Sequence, residues 1–182
     1  MSKAFTKEDD APDPGTPRRI PSALPPGAKN YITPEGAKRL REELDRLVDR
    51  ERPEAAAAVA ASKAAASAAP GPGERLAAID ARVDQLRRSL ESAVVVSPPK
   101  GDVDIVRFGA TVSVRSGPGG EITRYRIVGV DEADAARGWI SWVSPIAKGL
   151  LSARPGDRVT LTLPSGEREL EIVDVVYEAT GP

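Results

Sequence analysis

The chain has 182 residues, room for one ordinary domain and a smaller one, and is 40% hydrophobic with 17 prolines and 16 glycines. It contains neither cysteine nor histidine, which excludes disulfides, thiolate and imidazole metal sites, His-dependent triads and Cys/His nucleophiles. Its 26 basic and 27 acidic side chains leave a net charge of −1, so counterion release supplies no general affinity for nucleic acid.

No apolar run approaches the roughly 20 residues of a membrane span, and the opening "MSKAFTKEDD" lacks the apolar stretch of a signal peptide; the expectation is a cytoplasmic protein. Residues 1–30 carry six prolines and few large apolar side chains, which predicts a disordered Pro-rich tail whose Arg18 and Arg19 are a solvated pair.

At Tyr31 the pattern changes. Thr33 followed by Pro34 is an N-cap with proline at the first helical position, where its missing N–H is not needed. Ala37, Leu40, Leu44 and Leu47 then recur at helical spacings between charged residues. Pro53 should kink this helix or force a restart, and the alanines after it favour its resumption. "PGPG" at residues 70–73 ends the helix, and Leu76, Ile79, Val83, Leu86 and Leu90 form a second a/d seam. Two seamed helices joined by a tight breaker predict an antiparallel coiled-coil hairpin over residues 31–96. The seam residues are Leu40, Leu44, Leu47, Leu76, Ile79, Val83, Leu86 and Leu90.

After a linker at residues 97–102 the period becomes two. "VRFGATVSV", the turn "GPGG" and "EITRYRIVGV" read as a hairpin, "GWISWVSP" as a third strand, and Ser144 with Pro145 as the cap of a short helix. "RVTLTL", a "PSGE" turn and "ERELEIVDVVY" make a second hairpin. Residues 103–178 therefore read as a small α+β domain, and the whole chain as α+β.

Few residues suggest chemistry. Asp102, Asp104 and the "DEAD" acids, Asp131 to Asp134, fall in predicted loops and read as solvated. "SGPGGE" lies between strands rather than before a helix, so it reads as a turn and not as a phosphate cradle. Phe108, Tyr125, Trp139 and Trp142 read as core. The hairpin faces nearly balance, with six bases and seven acids over residues 31–54 and four of each over 74–92, while residues 55–73 hold Lys63 as their single charge and no carboxylate.

Together "YITPEGAKRLREELDRL", "ERPE" and "RLAAIDARVDQL", followed by "YRIVGVDEAD", "WISWVSPIAKGLL", "GDRVTLTLPSG" and "IVDVVY", resemble the bacterial Gre transcript-cleavage and elongation factors, closest to the GreB branch. The resemblance implies an N-terminal coiled-coil hairpin and an FKBP-like C-terminal domain. It implies RNA polymerase as partner, with the second domain docked on the rim of the secondary channel and the hairpin passed through it. Ser144 and Pro145 would belong to the rim contact, with Val143 where GreB-like members carry an acid. Contact with nascent RNA or DNA would be indirect, within the elongation complex.

Members that stimulate cleavage resemble one another in an acidic tip, S-E-N-A-[DE]-Y, whose carboxylates help to hold a magnesium ion of the polymerase. Here "AASKAAASAAPGPGE" occupies that place, and Glu74 is the one nearby acid and the weak candidate metal ligand. The resulting expectation is a monomeric regulator of elongation and pausing with weak or no stimulation of cleavage, without a cofactor or metal of its own, and not an enzyme. Three other readings stay open: a cleavage-competent GreB-type factor with Glu74 or a rearranged tip supplying the acid, a regulator resembling those of nucleoside diphosphate kinase, and a prolyl isomerase or chaperone of FKBP type.

Overall fold

The computed structural model describes residues 24–64, 71–99, 101, 103–163 and 166–178. The expected tail up to residue 23, the central part of the hairpin turn, Asp102 and the first half of the "PSGE" turn lie outside the described residues. A helical hairpin stands on a mixed sheet domain, the α+β architecture expected.

The first element is a strand, β1 (Asn30–Ile32), followed by helix α1 (Pro34–Arg46). Thr33 is its N-cap: in extended conformation, its hydroxyl accepts from Gly36 N at 2.9 Å, and Pro34 fills N1. Ahead of Pro53 the helix widens into a π-turn (Leu47–Glu51), in which Arg52 N–H donates to Leu47 O, five residues back. Pro53 has no N–H to give the carbonyl of Asp49, and the wide turn absorbs this without breaking the helix. The extra residue also rephases the inward stripe, so that α2 (Arg52–Ala64) turns Ala55, Ala56, Val59 and Ser62 inward and Ala57, Ala58, Ala60 and Ala61 to solvent.

Helix α3 (Pro72–Ser92) opens with Gly71 at φ 137° and Pro72 at N1. Its Ile79, Val83 and Leu86 are buried against Ala37, Leu40, Leu47 and Ala55, with Leu44, Val48, Leu76 and Leu90 packed around them. Arg82 grips Glu43 through two bonds of 2.7 and 2.9 Å, and Arg52 reaches Asp80 at 2.7 Å, so the two arms are registered at two levels. At about 1.5 Å per residue, the 21 residues of α3 reach about 32 Å.

The base of the hairpin is closed by a feature that helical periodicity does not contain. Strand β2 (Ala93–Val95) follows α3 directly and pairs parallel with β1, Asn30 opposite Ala93. Asn30 Nδ2 also donates to Ser89 O at 3.1 Å, tying the entry of one helix to the exit of the other.

The second domain is a five-stranded sheet in the order β5-β4-β3-β7-β6. Its strands are β3 (Ala110–Ser116), β4 (Ile122–Val128), β5 (Trp139–Ser141), β6 (Arg158–Leu163) and β7 (Gly166–Tyr177). Pairing is antiparallel except between β4 and β5. Gly117 and Gly119, at φ 70° and 73°, supply the left-handed backbone of the β3–β4 turn. Val112, Val114, Ile127, Leu161, Leu170 and Ile172 cover one face together with Ala147 and Leu150 of the short helix α4 (Pro145–Leu150). A Cβ at Gly149 would run into the Leu161 side chain, so glycine lets α4 approach β6 closely.

Candidate functional site

The sequence singles out the tip of the hairpin and the loop before α4; the structure adds the joint between the two domains.

At the tip, Glu74 lies exposed in the first turn of α3, where a carboxylate interacts favourably with the helix dipole. The carboxylates nearest to it along the arms are committed elsewhere, Glu54 to Arg50 at 3.4 Å and Asp80 to Arg52 at 2.7 Å. Among the described residues no cluster of three or more acidic side chains could hold a metal ion. A hard divalent cation shared with another protein calls for converging oxygen ligands, and a lone Glu74 next to Arg75 does not provide them.

In the loop before α4, Ser144 is half-buried and acts as the N-cap, its hydroxyl accepting from Ala147 N at 3.2 Å. Pro145 occupies N1 and is exposed, while Val143 is half-buried. The cap accounts for the conformation of Ser144 locally, and Pro145 is the exposed residue of this turn.

The joint corrects the reading of the "DEAD" acids as uniformly solvated. Glu132 closes a 3₁₀ turn (Val130–Glu132) in the crossover from β4 to β5, and its side chain is 1% exposed. Its carboxylate accepts from Thr33 N at 2.9 Å, from Gly129 N at 3.0 Å and from the Thr33 hydroxyl, with Arg39 Nη2 at 3.7 Å. Four donor groups from both domains meet one carboxylate, which is how a buried charge is kept tolerable. Any Cβ at Gly36 would collide with that carboxylate, so the glycine of "TPEG" admits Glu132 to the first turn of α1. The cap that starts the hairpin is thereby fastened to the sheet domain. Asp134 has a smaller role, capping the 3₁₀ turn Ala135–Arg137 by accepting from Ala136 N at 3.0 Å.

The aromatic side chains divide between core and joint. Phe108, Tyr125 and Trp142 are partly buried against the sheet core. Tyr31 of β1 stacks edge-on with Trp142 at 5.2 Å and contacts Phe108 at 5.9 Å, extending that packing to the base of the hairpin. Trp139, expected in the core, stands outside it on β5, with Arg39, Arg126 and Arg137 at 4.5, 5.0 and 5.3 Å from its ring. Arg126 in turn bonds Glu35 of α1 and Glu178, both at 2.9 Å. The periodicity of the strand places Trp139 without saying which face is covered; three arginines on separate elements decide it.

Two family models match the chain. The one described as transcription elongation factor, GreA/GreB, C-term, covers residues 99–177, and the one described as transcription elongation factor, N-terminal, covers residues 30–68. The chain belongs to the GreA/GreB family.

This Gre-family chain is 43% identical to transcription elongation factor GreB of Neisseria meningitidis over 162 residues, which cover 82% of this chain and 94% of that one. It is 38% identical to transcription elongation factor GreA of Alkalilimnicola ehrlichii over 156 residues, 82% and 99% of the two chains. Among solved structures it is similar to the GreA factor homolog 1 of Thermus thermophilus, at 27% identity, 82% and 99% coverage and a TM-score of 0.37. Membership corrects one expectation. A plain "not an enzyme" does not stand, because Gre factors are transcript-cleavage stimulators that act on RNA polymerase, although they are not catalysts themselves. Matches to both the N-terminal and the C-terminal elongation-factor models also favour the Gre reading over a kinase regulator or a prolyl isomerase.

Proposed function

We propose that this Gre-family chain is a cytoplasmic, monomeric elongation factor that enters the secondary channel of RNA polymerase hairpin first and docks its second domain on the channel rim. It modulates elongation and pausing there with little or no stimulation of transcript cleavage. The observation that carries this is the composition of the tip: residues 55–73 contain no carboxylate, and Glu74, the first acid beyond them, stands exposed. Phosphodiester hydrolysis at a metal centre requires neutralisation of developing charge and orientation of the attacking water, which oxygen ligands at the tip would serve and methyl groups cannot. The length of α3 and the fastening of the start of α1 through Glu132 suit an arm that must reach a distant site without changing its angle. In the rim contact Ser144 holds the loop by capping α4, and Pro145 offers the exposed face.

The test is transcript cleavage in backtracked elongation complexes with and without the protein. The expected result is a cleavage rate close to that of polymerase alone, accompanied by competition with a cleavage-competent factor for the channel. Robust cleavage that disappears in Glu74→Ala would replace this proposal with the Glu74-dependent one.

A further inference from the structure

One cleft lies away from both the tip and the loop at Ser144. It opens on the face of the sheet opposite α4, has a volume of about 200 Å³, and is lined by Thr111, Arg124, Arg126, Arg137, Trp139 and Glu178. Register explains the assembly: Arg126 of β4 is paired with Thr111 of β3 on one side and with Trp139 of β5 on the other, and Arg124 lies two residues along the same face.

Three features mark the cleft as a seat for an anion. Guanidiniums from β4 and from the turn before β5 line it, and those of Arg126 and Arg137 lie against the Trp139 ring, which orders them beforehand. Arg124 is exposed and has no ion-pair partner among the described residues, and Arg137 has only an exposed pair with Asp134 at 3.3 Å. Arg126 Nε and the Thr111 hydroxyl are buried without a hydrogen-bond partner, a state that normally costs stability. One anionic group already occupies the cleft: the Glu178 carboxylate, 2.9 Å from Arg126 Nη1, on a side chain that is 57% exposed.

We propose that this cleft binds a phosphoryl oxyanion of diphosphate type, which takes the place of the Glu178 carboxylate. Arg126 and Arg124 come from one strand and Arg137 from a separate turn, so the donors reach the cleft from two different elements. A flat carboxylate satisfies one guanidinium fork at a time, whereas tetrahedral phosphoryl groups present oxygens in several directions. The volume holds two such groups, and the charge of a diphosphate exceeds that of the glutamate it displaces.

The proposal requires no polymerase for its test. Isothermal titration of the full chain with inorganic pyrophosphate at low ionic strength should give saturable binding. Arg124→Gln and Arg137→Gln should each weaken it by about threefold to fivefold, and Glu178→Gln should strengthen it by about threefold. The three side chains are exposed enough that circular dichroism and the thermal midpoint should remain those of the parent, which separates loss of binding from loss of fold. Absence of saturation, equal binding by the arginine variants, or no gain in Glu178→Gln would each overturn the proposal. A nucleoside diphosphate binding more tightly than pyrophosphate would identify a nucleotide as the source of the diphosphate. Equal binding of a short acidic peptide of matched charge would overturn the phosphoryl assignment.

Discussion

Beyond the first turn of α2, the outward side chains are the methyl groups of Ala57, Ala58, Ala60 and Ala61; at the base of the same hairpin, the Glu132 side chain lies 1% exposed among donors from both domains. The outer part of the arm is built from intrinsic helix propensity and a narrow seam, with little there that a substitution could disturb. The base is built from a charge that is acceptable only while every donor remains in place. An arm of this kind is anchored by polar chemistry at one end and left chemically plain at the other, and the difference predicts where the chain tolerates change.

The sharpest way to break that contrast is to remove the anchor. Glu132→Ala leaves the Thr33 N–H, the Gly129 N–H and the Thr33 O–H without an acceptor in a buried joint and should lower unfolding free energy by about 3 kcal/mol in denaturant titrations. Ala58→Ser on the exposed face of α2 should stay within about 0.5 kcal/mol of the parent. If the two variants cost the same, the joint does not carry the load assigned to it.

Between these extremes lie the two ion pairs that register the arms. Arg82, with its side chain 19% exposed and two bonds to Glu43, should cost about 1 kcal/mol on replacement by alanine; Arg52, 52% exposed and paired with Asp80, should cost no more than about 0.5 kcal/mol. Double-mutant cycles with Glu43→Ala and Asp80→Ala would measure the difference, and a reversed order would mean that the registration is set nearer the tip than the base.

The smallest effect concerns pH. Tyr177 accepts from Arg107 N at 3.0 Å and donates to Ile105 O at 2.7 Å. Burial raises its pKa above the ordinary value of 10.0, against smaller lowering contributions from the Arg107 backbone bond and charge. With the folded value above the unfolded one, this contribution is intact below pH 10 and is lost as the pH rises through the folded value. Thermal midpoints should therefore fall above pH 10 in the parent and fall less in Tyr177→Phe.

How much was legible depended on the range of the interaction. Thr33 with Pro34 and Ser144 with Pro145 are helix starts because a hydroxyl reaches an N–H three residues away, and that geometry is written in four consecutive residues. The heptad spacing of Leu76 to Leu90 and the alternation in β3 are equally local. The π-turn was half legible: Pro53 announces a disturbance, but which neighbouring turn widens depends on keeping Leu47 and Ala55 on one buried stripe. The "DEAD" acids read alike in the sequence; a partner 99 positions away separates Glu132 from the others.

The alternation of caps and seams, the sheet-forming strands and the absence of carboxylates from residues 55–73 follow from the order of residues, because each is a property of neighbouring residues or of composition. Tertiary structure alone decided the parallel pairing of Asn30 with Ala93, the burial of Glu132 beneath Thr33, and the arginines around Trp139. These depend on groups that become neighbours only after the hairpin has closed and come to rest on the sheet. The burial of a charge is favourable only when all of its distant donors arrive together.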